Sequence, residues 1–92
     1  MKTLYNKDEL IRHLTEQLEE ELEGIIDYDH YYESMIALGL RCDAKTIERI
    51  ATDEYDHAIT LMDMLKDHDV DITGHAKIAE LWSEVKKIYS IT

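Results

Sequence analysis

Proline is absent from this chain of 92 residues, and glycine occurs only three times. Helix-breaking residues are therefore scarce, while Leu, Ile, Glu, Asp and Lys dominate the composition, which favours helix over sheet. The sequence predicts an all-α fold. The length suits one domain, residues 1–92, and a chain this short buries only a modest share of its surface alone, which favours association with a second copy.

Cysteine occurs once, as Cys42, so no intrachain disulfide can form. The absence of a CxxC pair excludes a rubredoxin-type iron site or a zinc ribbon within the chain. No apolar run reaches the 18 or so residues that span a bilayer. The first residues, MKTLYNKDELIRHL, carry charges too early for a secretory signal. We therefore expect a soluble, cytoplasmic protein.

Basic residues are also few, since the chain has 21 acidic and 10 basic residues and its formal net charge is -11. Phosphate backbones and anionic membrane surfaces would be repelled by such a chain. We expect no nucleic-acid partner and no membrane partner. Cations are the natural ligands of a protein with this charge.

The first helix is predicted over about residues 7–38. Asn6 is a good N-cap residue and Glu9 follows it at the capping-box spacing, while Gly39 is typical of a helix end. At the usual rise this helix is roughly 45 Å long. Its apolar stripe recurs in steps of three and four and contains one charged member. The stripe comprises Leu14, Leu18, Glu21, Ile25, Tyr28, Tyr32 and Met35.

A second helix is predicted over about 44–67, with Asp43 as its N-cap, and a shorter third helix over about 74–89. The polar stretch DHDVDITG separates them. The third helix carries an apolar stripe of Ala76, Ala79, Trp82, Val85 and Tyr89.

Two long helices joined by a short turn form an antiparallel hairpin. A hairpin with one apolar stripe on each helix leaves half of that face uncovered, because a four-helix core needs walls on every side. The sequence therefore predicts a ferritin-like four-helix bundle formed by dimerisation, with the hairpin and the short C-terminal helix in each chain.

Polar side chains interrupt the stripes of both long helices. In the string DEYDH, Glu54 and His57 stand on a stripe that otherwise runs through apolar residues, and Glu21 interrupts the facing stripe. Burying a carboxylate costs several kcal/mol (order of magnitude) unless its charge is compensated. Because His57 follows Glu54 by three positions on one helix, both side chains can reach one metal ion. The apolar neighbours are Ile47, Ile50, Leu61 and Met64.

Doubling by a twofold axis brings together four carboxylates and two imidazoles. Such a set has oxygen and nitrogen donors and no thiolate, and four carboxylates balance two divalent cations, which suits iron or manganese better than structural zinc. With a turn near residues 40–43, Glu21 lies about 20 residues before the turn and Glu54 about 12 after it. Helix tilt must absorb this offset.

Residues 18–65 resemble half of a ferritin-like or rubrerythrin-like di-iron carboxylate protein. The motifs that carry the resemblance are Glu21-x6-Tyr28 and Glu54-x-x-His57, since helix-bundle di-iron proteins take one Glu from each of two helices and Glu-x-x-His from each of the other two. A chain with half of that site is most similar to the encapsulated ferritins, whose two-helix subunits form a ferroxidase centre across a dimer interface.

The resemblance implies oxidation of Fe(II) to Fe(III) in iron storage or detoxification. Glu21, Glu54 and His57 of both copies would hold two iron ions per dimer, with manganese as the alternative metal. Tyr28 would lie beside the ligands, and the acidic residues Glu20 and Glu23 would lie where that family places a metal-uptake cluster.

The same resemblance implies a homodimer at minimum, further assembly into a ring of dimers, and a location inside a protein nanocompartment. The chain ends KKIYSIT without the Gly- and Leu-containing targeting peptide of that family. The sequence therefore gives no support for an encapsulating shell. Reduction of peroxide in the manner of rubrerythrins would need an external electron donor, because the rubredoxin module is missing.

Three alternatives to a ferroxidase remain open from the residues. One is a peroxide-reducing bundle, the second is a di-metal bundle without turnover, and the third is a purely structural hairpin in which the buried Glu and His bond to each other across a dimer. Glu23, Asp27 and His30 share helical spacing suited to a second metal site, although a solvated acidic face is the favoured interpretation. His13, His68 and His75 are expected on the surface.

Overall fold

The computed structural model describes residues 4–90. Helix α1 spans Lys7–Ala37 and helix α2 spans Arg41–Asp67, followed by a 3-10 turn at Ile72–Gly74 and by helix α3 at Ala76–Ile88. Helices α1 and α2 pack antiparallel, and α3 packs on α1. The prediction of an all-α hairpin with a short third helix is confirmed.

Helix α1 has a defined cap at each end. The side chain of Asn6 accepts a hydrogen bond of 2.9 Å from the backbone N–H of Glu9, as the capping-box spacing predicts. At the other end, Gly39 takes φ +76°, and the N–H of Leu40 donates to the carbonyl of Met35 at 2.8 Å. This Schellman turn uses a left-handed residue that glycine adopts without strain, and it reverses the chain within three residues.

Helix α2 begins three residues earlier than the sequence predicted. Leu40 is its N-cap and provides no side-chain cap, while the backbone N–H of Ala44 already donates to the Leu40 carbonyl at 2.9 Å. The predicted N-cap, Asp43, lies inside the first turn. The prediction was wrong because the turn at Gly39 already places the next residue in position to begin a helix. A carboxylate in a first turn still interacts favourably with the helix dipole.

The 3-10 turn before α3 is closed by Asp71, whose carboxylate accepts hydrogen bonds from the N–H and the hydroxyl of Thr73. These bonds, the hydroxyl bond above all, hold the pKa of Asp71 below its usual value. Helix α3 therefore begins only at Ala76, two residues after the predicted start.

Helix α3 covers one side of the hairpin. Ile78 and Val85 are its buried residues, whereas Ala76 and Ala79 of the predicted stripe are exposed. That part of the stripe was wrong because Ile78, a larger apolar side chain, faces the core. Trp82 belongs to the predicted stripe and is half-buried.

Aromatic and charged contacts tie α3 to both long helices. Tyr55 of α2 stacks on Trp82, with ring centroids 6.3 Å apart. Lys77 Nζ lies 2.9 Å from Glu23 Oε1 and 3.5 Å from Glu19 Oε2 on α1. The hydrogen bond from Lys77 to Glu23, together with the charges of both carboxylates, raises the pKa of Lys77.

The buried core lies mainly in one half of the hairpin, where α3 covers α1 and α2. The distal half, which ends in the turn at Gly39, contributes only Ile25 and Ala44 to the buried set. The described chain measures 48 × 38 × 17 Å, so it is a slab. The core cluster comprises Leu18, Leu22, Ile25, Ala58, Met62, Leu65, Ile78 and Val85.

No helix within residues 4–90 is long and apolar enough to cross a membrane. The first three and the last two residues lie outside the described part of the chain. The expectations about a secretory signal and a targeting peptide therefore rest in part on residues that the structure does not describe.

Two glycines should respond oppositely to alanine. Gly39→Ala places a Cβ on a left-handed residue and should lower the free energy of unfolding by about 1 kcal/mol. Gly24→Ala lies inside α1, where the new Cβ would meet atoms no closer than 3.8 Å, and should raise it by up to about 1 kcal/mol. Urea titration followed by circular dichroism measures both, and equal effects would contradict the assigned turn.

Candidate metal centre

Glu21 from α1 and Glu54 and His57 from α2 lie together in the folded chain. One ligand atom from each of them, a carboxylate oxygen or an imidazole nitrogen, lies within 4.8 Å of the other two. The structure thus brings together the three residues that the interrupted stripes predicted. In the described part of the chain this is the one group of His, Cys, Asp or Glu side chains with such spacing.

The hairpin register explains why these three side chains meet. Glu21 and His57 each stand eighteen residues from Gly39, and Gly24 and Glu54 each stand fifteen residues from it. Because Gly39 is the centre of the turn, residues equally far from it lie at the same level of the two helices. The predicted turn at 40–43 was placed too late, and that error accounts for most of the offset expected between Glu21 and Glu54, which differ by three residues in their distance from Gly39.

Glu21 is largely enclosed, with its side chain only 11% exposed. Its Oε1 atom accepts a hydrogen bond of 3.1 Å from Gln17 Nε2. Its Oε2 atom is buried and has no hydrogen-bond partner among the described residues, because His57 Nδ1 stands 3.8 Å away, beyond hydrogen-bond range. A buried carboxylate oxygen without a partner is costly, and a cation at this point would satisfy it.

The group is open to solvent at His57. The His57 side chain is 60% exposed, and Glu54 is half-buried. A metal ion can therefore reach the group directly from solvent. One chain supplies three protein ligands of this kind, which leaves further coordination positions for other donors.

The sequence analysis did not identify two residues that lie beside the group. Gln17 holds Glu21 through the hydrogen bond described above, and its position four residues earlier on the same helix is the signal that could have identified it. Gly24 is the second. A Cβ on Gly24 would lie 3.8 Å from Glu54 Oε2 and 3.9 Å from Tyr28 Cε2. A glycine inside a long helix is a signal of close approach.

Tyr28 is half-buried, and its ring packs edge-on against Tyr31 with centroids 6.2 Å apart. Its ring edge beside Gly24 places it near the level of Glu54. Its role beside the ligands stays a prediction.

The expected metal-uptake residues are not equivalent in the structure. Glu20 is exposed, whereas Glu23 is paired with Lys77 of α3. Glu23 stands two residues after Glu21, and side chains at that spacing do not share a face of a helix. It therefore lies on the α3 side of α1, away from the candidate centre. Asp27 and His30 are exposed, and the structure forms no metal-binding group from Glu23, Asp27 and His30 in the described part of the chain.

Comparison of the chain with protein families, with curated proteins and with solved structures found no match. The resemblance to the encapsulated ferritins therefore stays a hypothesis, and the geometry of the centre carries the functional argument.

The ligand set could hold a metal ion. It offers two carboxylates and one imidazole and no thiolate, a combination of hard oxygen donors and one nitrogen donor. Two carboxylate charges balance one divalent cation for each chain. The buried oxygen of Glu21 without a partner is the feature that a structural hairpin alone leaves unexplained.

Glu21→Met should separate stability from metal binding. The substitution replaces a buried carboxylate with an apolar side chain of similar volume. The free energy of unfolding of the metal-free variant, measured in urea, should therefore exceed that of the wild type by at least about 1 kcal/mol. The rise in melting temperature on adding Mn(II) should disappear. Glu33→Met, at an exposed position of the same helix, should leave both quantities unchanged. A metal-free Glu21→Met variant that unfolds more easily would contradict the assignment.

Proposed function

We propose that this protein is a ferroxidase, in which two copies enclose a pair of Fe(II) ions between Glu21, Glu54 and His57 of each. The observation that carries the proposal is the buried Glu21 oxygen, which has no hydrogen-bond partner and lies beside a second carboxylate and an imidazole. The role would be iron storage or detoxification.

The centre lies on an apolar stripe of α2 that borders the buried residues of this helix. We call this stripe the site face. Ile50 and Met64 are 37% and 42% exposed, whereas apolar side chains of this size are preferentially buried. The two residues lie on either side of the polar pair, four residues before Glu54 and seven after His57. The site-face residues of α2 are Ile47, Ile50, Glu54, His57, Leu61 and Met64.

The order of residues on the site face is symmetrical about the centre. Ile50 and Leu61 are equally distant from the midpoint of Glu54 and His57, and so are Ile47 and Met64. A twofold dimer uses the same patch on both copies, so each residue must suit its mirror position. Antiparallel pairing of two site faces would therefore place apolar residues against apolar residues.

Helix α1 supports the same arrangement. Leu14 and Tyr28 stand seven residues before and after Glu21, and both are half-buried. Leu10, one turn further out, is 46% exposed. Because the slab is only 17 Å thick, a second copy on this side is the simplest way to complete a core.

Pairing would assemble four carboxylates and two imidazoles around two cations, and their charges would balance. Carboxylates can change between terminal and bridging coordination as iron gains charge. In the reaction each Fe(II) loses one electron, and O2 accepts both electrons and two protons to leave as hydrogen peroxide. Fe(II) is thus the reducing substrate, and the dimer would hold the two ions close enough to act on one oxygen molecule.

The chain's own groups would orient the ligands. The hydrogen bond from Gln17 fixes one oxygen of Glu21 and turns the other toward His57 and Glu54. Partners of this kind fix the orientation of a ligand. Gly24 lies beside the Glu54 carboxylate, and a Cβ there would meet Glu54 Oε2 at 3.8 Å, an ordinary contact distance.

His57→Ala should abolish rapid iron oxidation. The variant loses one of the three donors of each chain, so absorbance near 300 nm after mixing Fe(II)-loaded protein with air should rise at least about tenfold more slowly. His68→Ala removes a histidine at the exposed C-cap of α2 and should behave as wild type. Equal rates for His57→Ala and wild type would overturn the proposal. Metal binding without faster oxidation than Fe(II) in buffer would indicate a di-metal bundle without turnover.

Met64→Glu should prevent metal-dependent dimerisation. A charge on the apolar site face would be buried by pairing, which costs several kcal/mol (order of magnitude). Sedimentation velocity at about 0.5 M salt, which screens contacts between exposed charges, should give a metal-dependent dimer for wild type and a monomer for the variant with and without Mn(II). Ala79→Glu adds the same charge on an exposed position of α3 and should still dimerise. A monomeric wild type saturated with metal would remove the shared centre.

A further inference from the structure

The outer face of α2 carries a symmetrical pattern of charge. It comprises Lys45, Arg49, Asp56, Asp63 and Asp67, which we call the charged face. The steps between these residues are four, seven, seven and four, so all five side chains share one face of the helix. All five are exposed, and none of them forms an ion pair in the described part of the chain.

The charges are ordered against the needs of the helix itself. The positive members lie in the N-terminal half of α2 and the negative members in its C-terminal half, and Arg41 and Asp67 continue that order to the two ends. A helix dipole favours the opposite arrangement, by about 0.3–1 kcal/mol for each terminal charge. Asp43 and Lys66 offset part of the cost. Helix stability therefore does not account for the pattern.

We propose that the charged face is a docking surface for α2 of a second copy, in antiparallel orientation. About a twofold axis at Asp56, Lys45 of one copy lies opposite the partner's Asp67, and Arg49 lies opposite the partner's Asp63. Each pair forms twice. The one repulsive element is Asp56, which meets its own copy at the axis.

This surface is distinct from the site face. Asp56 precedes His57 directly, and the charged face lies beside the site face on the side away from the buried residues Ala58, Met62 and Leu65. A subunit can therefore use both faces at once, and the inference does not depend on the metal centre. Repeated use of two twofold contacts would join dimers into larger assemblies.

The contact should be weak and electrostatic in origin. Exposed ion pairs contribute about 0–1 kcal/mol each and are screened by salt. The net charge of -11 also repels two copies at long range. The attraction must therefore come from opposite charges at matching positions and not from an excess of one sign. Reversing these charges and then mixing the reversed variants is the decisive test.

The experiment uses two double variants. Lys45→Glu/Arg49→Glu has a uniformly negative charged face, and Asp63→Lys/Asp67→Lys has a mostly positive one. Each alone should lose at least tenfold in self-association constant at about 20 mM ionic strength, measured by sedimentation equilibrium without metal. An equimolar mixture should restore association, because every reversed residue then meets a reversed partner. The mixture also keeps the average net charge of the wild type.

Three comparisons decide the outcome. Lys86→Glu/Lys87→Glu on α3 changes net charge as much as the first double variant and should keep wild-type association. Asp56→Asn should strengthen association, since it removes the repulsion at the axis. In a Met64→Glu background the same results should be obtained, because that variant changes only the site face. Variants that do not self-associate and do not recover on mixing, or double variants indistinguishable from wild type, would overturn the inference.

Discussion

The register between α1 and α2 is the constraint on which the rest of this structure depends. It is set by Gly39, whose left-handed conformation closes the Schellman turn and places Glu21 level with His57. A shift of one residue along either helix would turn its side chains by about 100°. The carboxylates and the imidazole would then no longer converge. Backbone geometry at a turn thus controls chemistry about 27 Å away, at the usual rise.

Helix α1 carries acidic residues on two different sides. Helix α3 covers the side of α1 that carries Glu19 and Glu23, and Lys77 anchors it there. Glu21 stands between those two residues in sequence and faces away from them, because alternate residues of a helix do not share a face. Two acidic residues therefore pair with Lys77 of α3, and the intervening one belongs to the candidate centre.

The sequence predicted the features that depend on periodicity. The two long helices and the group of Glu21, Glu54 and His57 followed from apolar stripes that polar residues interrupt, although the levels of Glu21 and Glu54 were predicted to match only roughly. It did not predict features that depend on detailed geometry. Asp43 was mistaken for an N-cap because the preceding turn sets the start of α2. Ile78 was missed because Ala76 and Ala79 also have the spacing of an apolar stripe. Dimerisation stays a prediction, since one chain cannot test it.

The uneven distribution of the core has a consequence for the lifetime of an isolated subunit. The half of the hairpin that ends at Gly39 contributes little to the buried core, and Leu38 and Leu40 at its tip are exposed. Segments with few buried apolar contacts open locally at low cost, and proteases cleave chains in such open states. A single subunit would thus be vulnerable to proteolysis at its tip. If the proposed association covers that tip, the abundance of the protein would follow the rate at which copies meet.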